Sequence, residues 1–216
     1  MRPYERDPQQ IYAASFETVR SEANLARFDP NMSALVTRVI HACGIVEIAD
    51  RIAFSEGCSD AGRRALKDGA PIICDAQMVA AGVISRYLPA QNEVITTLND
   101  PSVADRALKM RNTRSAAAVE LWEPHIAGAV VAIGNAPTAL FHLLDLLDQG
   151  FPKPAIILGF PVGFVGAAES KAELAANPRG CHFVALRGRK GGSAMASAAV
   201  NALAAGLPED AARLVQ

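Results

Sequence analysis

An arginine and a histidine three residues apart, Arg38 and His41, are the side chains best placed in this chain to do chemistry together. Imidazole exchanges a proton near neutral pH and a guanidinium recognises carboxylates, so the pair points to acid–base work on an anionic substrate. The stretch that carries them, PNMSALVTRVIHACG over 30–44, has the marks of a helix. Asp29 ahead of Pro30 is a start signal and Gly44 supplies the stop. Met32, Leu35, Val36, Val39 and Ile40 fall on one apolar stripe at the 3.6-residue period. At about 100° per residue, Arg38 and His41 share the opposite face. Such a face is merely solvated unless other elements build a pocket over it.

Composition bounds what those elements are. At 216 residues the chain suffices for one sizeable core, and a single domain over 1–216 is the expectation. Half of the residues are apolar, while 21 Lys and Arg nearly cancel 22 Asp and Glu. No bulk field is left to hold nucleic acid or an anionic membrane, so an anionic ligand must be met by local groups. The opening MRPYERDPQQ has no apolar leader core, and no run approaches eighteen uncharged apolar residues, which predicts a cytoplasmic protein without membrane contact. Cys43, Cys58, Cys74 and Cys181 are spread too widely for a zinc site or a disulfide framework and read as reduced, mostly buried thiols.

Ahead of the His41 helix, Ile11, Tyr12, Phe16, Val19 and Ala23 give an amphipathic helix over about Pro8 to Arg27, with Ser15 and Glu22 off its apolar line. Ile45 to Ser55 reads either as a short strand or as a helical continuation, and Ser59 caps a helix running to Asp68. From residue 70 short apolar runs alternate with helices. The runs are 71–75, 93–98, 128–134, 154–160 and 182–188, each uninterrupted enough to be a strand buried on both faces. Helices over 76–82, 103–120, 138–148, 167–176 and 192–205 follow them, with Asn112-Thr113 inside the second as a start signal for SAAAVELW. The fold class is therefore α/β: three layers around a mostly parallel sheet of about five strands, preceded by N-terminal helices.

In such sheets ligands gather where the turns leave the carboxyl ends of the strands. Here those turns are rich in glycine and stand at helix N-termini, which predicts a crevice that attracts carboxylates or phosphates. The loop GFPVGFVG over 159–166 is apolar and suits a large flat hydrophobic ligand, while Lys109, Arg111, Arg114 and the 187–190 turn add cations near the same edge. GRKGGS lacks the spacing of a phosphate-binding P-loop, and no G-x-G-x-x-G follows the first strand of the alternating region. Neither a nucleophile elbow nor a zinc-binding H-E-x-x-H occurs, and His125, His142 and His182 read as structural.

Six segments together resemble the precorrin-8X methylmutase family: HACGIVEIA (41–49), IICDAQMVAAGV (72–83), TRSAAAVELW (113–122), IGNAPTALF (133–141), GFPVGFVGAAESK (159–171) and GRKGGSAMA (188–196). The likeness spans about residues 8–206. It implies an isomerase that moves a methyl group from C-11 to C-12 of precorrin-8X to give hydrogenobyrinic acid, with no metal and no redox cofactor. It further implies a homodimer with the tetrapyrrole near the subunit interface, and hand-over to neighbouring pathway enzymes. His41 matches the family's histidine, which protonates a ring nitrogen. Ser15 and Arg38 would hold acetate or propionate arms, with Arg111, Arg114, Arg187, Arg189 and Lys190 as further partners. Val83, Ile84 and the loop containing Phe160, Gly163 and Gly166 would contact the macrocycle. The cobalt-free substrate is the expectation. A cobalt-precorrin-8 methylmutase, a corrinoid carrier without chemistry and a doubly wound enzyme for a phosphorylated metabolite are the alternatives.

Overall fold

Capping side chains start the first two helices where the sequence places them. Asp7 accepts from the amide of Gln9 at 2.9 Å to open α1 (Pro8–Glu22), and Asp29 accepts from the amide of Met32 at 2.9 Å to open α2 (Pro30–Cys43). Gly44 closes α2 in the left-handed region at φ 68°. The computed structural model describes Arg2 and residues 4–207; residues 208–216 of the expected domain lie outside the described residues. α1 stops short of Arg27, which donates instead to the carbonyls of Ala49 and Ile52 and so caps polar backbone beside the first strand.

The ambiguous segment contains both readings. A 3₁₀ stretch, Val46–Arg51, leads into β1 (Ile52–Phe54). Next comes α3 (Cys58–Lys67), whose N-cap is Gly57 at φ 69° and which begins ahead of Ser59. The alternation then runs β2 (Ile72–Cys74), α4 (Gln77–Gly82), β3 (Val94–Ile95), α5 (Val103–Met110) and α6 (Arg114–Val119). It continues with β4 (Val130–Ile133), α7 (Pro137–Asp148), β5 (Ile156–Gly159), α8 (Ala167–Ala176), β6 (His182–Leu186) and α9 (Ser193–Ala205). The helical stretch expected over 103–120 is two helices, divided at the Asn112-Thr113 start signal. Arg111 turns the chain at φ 51°, and Thr113 opens a new helix by accepting from the amide of Ala116 at 3.1 Å.

The six strands lie in the order β1-β6-β5-β4-β2-β3. β1, the strand beyond the expected five, pairs antiparallel with β6, and every other pair is parallel. Along each strand alternate side chains serve opposite cores, as the two-residue period requires. Ile72, Val130, Ile156 and Val184 join the core under α2, α3 and α9, whereas Ile73, Val131, Ile157 and Phe183 join the one under α7 and α8. α9 is buried from Met195 to Ala205, because its alanines and serines let α2, α3 and α4 approach it closely.

The order reverses between β2 and β4, the place where open α/β sheets usually bind an anion. Here the chain fills that place itself. The Asp75 carboxylate accepts from the amides of Gly134 at 2.9 Å, Asn135 at 3.0 Å and Ala136 at 2.8 Å. Burial pushes this carboxyl above its ordinary value, against the opposing pull of the three amides. The crevice expected for an external carboxylate or phosphate is thus closed at its centre.

The two remaining glycine turns are pinned together. Lys171, fully buried on α8, donates to the carbonyl of Pro161 at 2.8 Å and to that of Lys190 at 2.6 Å. Gly192 donates to Phe160 at 2.8 Å, and a side chain at Gly191 would collide with the carbonyls of Phe160 and Pro161. Desolvation pushes the Lys171 ammonium from the usual 10.5 down to about 8. Between those two values the unfolded chain binds the extra proton, so this residue makes stability rise with pH across that window. In Lys171→Met the rise disappears. Urea unfolding at pH 8 and pH 10.5 is expected to show the difference between native chain and variant changing by up to about 3 kcal/mol.

Candidate functional site

A pocket of about 400 Å³ opens between α1, α2, α4 and α9. α1 contributes Tyr12 and Phe16, α2 contributes Arg38 and His41, and the 3₁₀ turn Ser85–Tyr87 contributes Arg86 and Tyr87. Asn201 on α9 fixes one wall: its side chain accepts from the amide of Ile84 at 2.8 Å and donates to the carbonyl of Gly82 at 2.9 Å. Ser193 and Ser197 of α9 also line the pocket.

His41 is exposed at the end of α2, and its Nδ1 lies 2.8 Å from the hydroxyl of Ser15. A hydroxyl accepts from Nδ1 when the ring is charged and donates to it in one neutral tautomer, so Ser15 orients the imidazole in either state. Nε2 has no hydrogen-bond partner among the described residues. The ring packs against Phe16 with centroids 4.9 Å apart and against Tyr12 at 5.7 Å. Partial burial, and then the nearby charge of Arg38, push His41 below its ordinary value.

Arg38 shares the pocket with His41 but does not stand in solvent. It is 7% exposed, its Nη1 donates to the carbonyl of Gly206 at 2.8 Å, and its guanidinium lies 5.4 Å from the centre of the Tyr87 ring. The helical wheel gave its angle correctly; the covering of that face by the end of α9 is a tertiary fact.

Of the other residues singled out in the sequence, Ile84 lines the pocket and Ser15 reaches it through His41. Val83 is buried in the core, and so is Phe160, which is fully enclosed. Gly163 and Gly166 bend the loop that carries Phe164 and Val165, 86% and 89% exposed, outside the pocket lining. Arg189 stacks on Phe164 at 5.4 Å. Lys190 is exposed on the next turn, and its charge reaches the Cys43 thiol, two residues beyond His41. Arg187 lines a separate polar pocket with Arg27 and Asp50. Arg111 and Arg114 are exposed by the α5–α6 turn, where Arg114 donates to the carbonyl of Leu98 at 3.2 Å.

Tyr12, Phe16, Arg86, Tyr87 and Asn201 are among the lining residues that the sequence did not single out. Tyr12 and Phe16 read as one apolar stripe with the rest of α1, and only the placement of Ser15 beside them hinted at a site. Among the described residues no three His, Cys, Asp or Glu side chains converge as metal ligands, and no helix is long and apolar enough to cross a membrane.

Comparison with known proteins converges on one family. The model of the family described as precorrin-8X methylmutase matches residues 10–205. A precorrin-8X methylmutase of Pseudomonas aeruginosa is 60% identical over 204 residues, covering 94% of this chain and 98% of the relative. A cobalt-precorrin-8 methylmutase of Priestia megaterium is 36% identical over 94% of this chain and 89% of its own. The crystal structure of a precorrin-8X methylmutase from Thermus thermophilus superposes with a TM-score of 0.81 at 38% identity, covering 90% of this chain and 94% of that one. The doubly wound sheet and the match along nearly the whole length agree with the resemblance carried by the six sequence segments, and the chain belongs to the precorrin-8X methylmutase family.

Proposed function

We propose that this protein is an isomerase of cobalamin biosynthesis that moves the methyl group of precorrin-8X from C-11 to C-12, with His41 as proton donor. The observation that carries the role of His41 is its geometry: Nδ1 held by Ser15, and Nε2 unpartnered among the described residues, in a pocket shared with a buried guanidinium. Protonation of a ring nitrogen by Nε2 draws electron density from the conjugated system and lowers the barrier to migration, and the product keeps every atom of the substrate. Proton donation of this kind supplies about 10²- to 10⁴-fold in rate. Holding the macrocycle in the shape from which the methyl group can move supplies more.

Arg38 opposes the charged form of His41 while the pocket is empty. A substrate carboxylate beside Arg38 cancels that opposition and raises the basicity of His41 where the proton is needed. Ile84 supports one edge of the macrocycle with Val83 buried behind it, and the loop anchored by the enclosed Phe160 and bent at Gly163 and Gly166, together with Arg111, Arg114, Arg187, Arg189 and Lys190, serves the remaining ring and its outer arms. At about 400 Å³ the pocket takes only part of a tetrapyrrole with its carboxylate arms. The apolar rim, where Met78 is 72% and Tyr12 43% exposed, suits burial against a second copy in a cytoplasmic homodimer that passes its product to neighbouring enzymes. The 60% identity to a precorrin-8X methylmutase, against 36% to the Priestia megaterium cobalt-precorrin-8 methylmutase, favours the cobalt-free substrate.

The test is direct. Purified protein mixed with precorrin-8X is expected to generate the absorption spectrum of hydrogenobyrinic acid in a catalytic, not stoichiometric, yield. Binding without conversion would identify a carrier instead.

A further inference from the structure

Two observations about His41 pull in opposite directions. Its surroundings disfavour a positive charge, since partial burial and Arg38 both lower its basicity. Yet a proton donor must carry its proton when the substrate arrives. Carboxylates do not resolve this: the charged or titratable side chains lining the pocket are Tyr12 on α1, Arg38 on α2, and Arg86 and Tyr87 on the 3₁₀ turn. α9 faces the pocket with Ser193, Ser197 and Asn201, which carry no charge, and Lys190, whose charge acts on Cys43 at the end of α2, is not among the lining residues.

What α1 does place against the imidazole is two aromatic rings. Phe16 is fully buried, with its centroid 4.9 Å from that of His41, and Tyr12 is 5.7 Å away; both planes are tilted 43° to the imidazole. Tyr12 and Phe16, one helical turn apart, stack at 6.1 Å with only 14° between their planes. An aromatic ring within about 6 Å attracts a cation through its quadrupole, and here it does so without adding a charge that a polyanionic substrate would meet. On the reading of His41 as proton donor, we infer that Tyr12 and Phe16 are positioning residues that hold the imidazolium form of His41 through their aromatic rings, while Ser15 fixes its orientation. The phenol of Tyr12 is not needed for this; its ring is.

The experiment is a ¹⁵N NMR titration of His41 in the free full-length protein, its signal assigned by its loss in His41→Ala among four histidines. Tyr12 is 43% exposed, so its replacement leaves the core intact. Tyr12→Leu is expected to move the His41 midpoint toward acid by about half a pH unit, and Tyr12→Phe to leave it in place. In turnover, the alkaline limb of the kcat/KM profile, which reports the free enzyme, shifts by the same amount in Tyr12→Leu only. An unchanged midpoint in Tyr12→Leu would overturn the inference, and so would an equal shift in Tyr12→Phe, which assigns the effect to the hydroxyl. The titration needs no substrate, so its outcome is separate from whether the protein converts precorrin-8X.

Discussion

Replacing His41 by alanine lowers turnover of precorrin-8X about 10²- to 10⁴-fold while leaving the affinity for hydrogenobyrinic acid within a few-fold of the native value. The split follows from where the residue sits. His41 is exposed and fills one side of a pocket whose other walls come from α1, α4 and α9, so truncation removes a proton donor and little contact area. Ser15, left without its partner, keeps access to water at this exposed site. The fold is not at risk, because Met32, Leu35, Val36, Val39 and Ile40, not His41, anchor α2 to the core. Single-turnover kinetics with spectral detection measures the rate, and titration with product measures the affinity. Equal losses in both would assign His41 to binding, and an unchanged rate would remove it from the mechanism.

The His41 helix was legible because local signals and pattern agreed: Asp29, Pro30 and Gly44 set its ends, and the apolar stripe set its orientation. The parallel core strands were legible for a similar reason, since continuous apolar runs bounded by turn residues admit few alternatives. β1 was legible only as one of two readings of Ile45 to Ser55, because three residues against β6 carry no period and owe their pairing to that neighbour. The break at Arg111 was half legible: Asn112-Thr113 marked the start of the helix SAAAVELW, but the left-handed φ that ends the preceding helix belongs to an arginine, a residue that does not announce it. In the site, sequence spacing put Arg38 beside His41 but said nothing of Gly206, whose carbonyl arrives from 168 residues away and keeps the guanidinium buried. Asn201 lay unseen in a run of alanines, since its role is to pin Gly82 and Ile84 from a different element. What the sequence withheld are contacts between elements, and pockets consist of those.

Asp75→Ala is expected to destabilise the protein more than any change within the pocket and to weaken substrate binding as well. Removing the carboxylate leaves the amides of Gly134, Asn135 and Ala136 without their acceptor. An unpaired buried donor costs about 1–3 kcal/mol, and with partial access of water to two of the three the loss comes to about 3 kcal/mol. Asparagine restores little, because its amide nitrogen turns a donor toward a donor. The damage spreads toward the site along a defined path. Gly134 is packed so tightly that an added side chain would lie 2.8 Å from both Ala196 Cβ and the Ser193 backbone and 3.0 Å from Val79. Ser193 lines the pocket, and Val79 lies on α4 beside the pocket residue Met78. When the turn loses its acceptor it relaxes against those neighbours, shifting the start of α9 and the wall that faces the macrocycle. Urea unfolding with an unchanged m-value reads the first effect. A KM that rises more than kcat falls reads the second, since the His41–Ser15 pair on α1 and α2 stays where it was. A variant of native stability would mean that water or a rearranged backbone satisfies the three amides, and the internal carboxylate would then not be what closes the switch point.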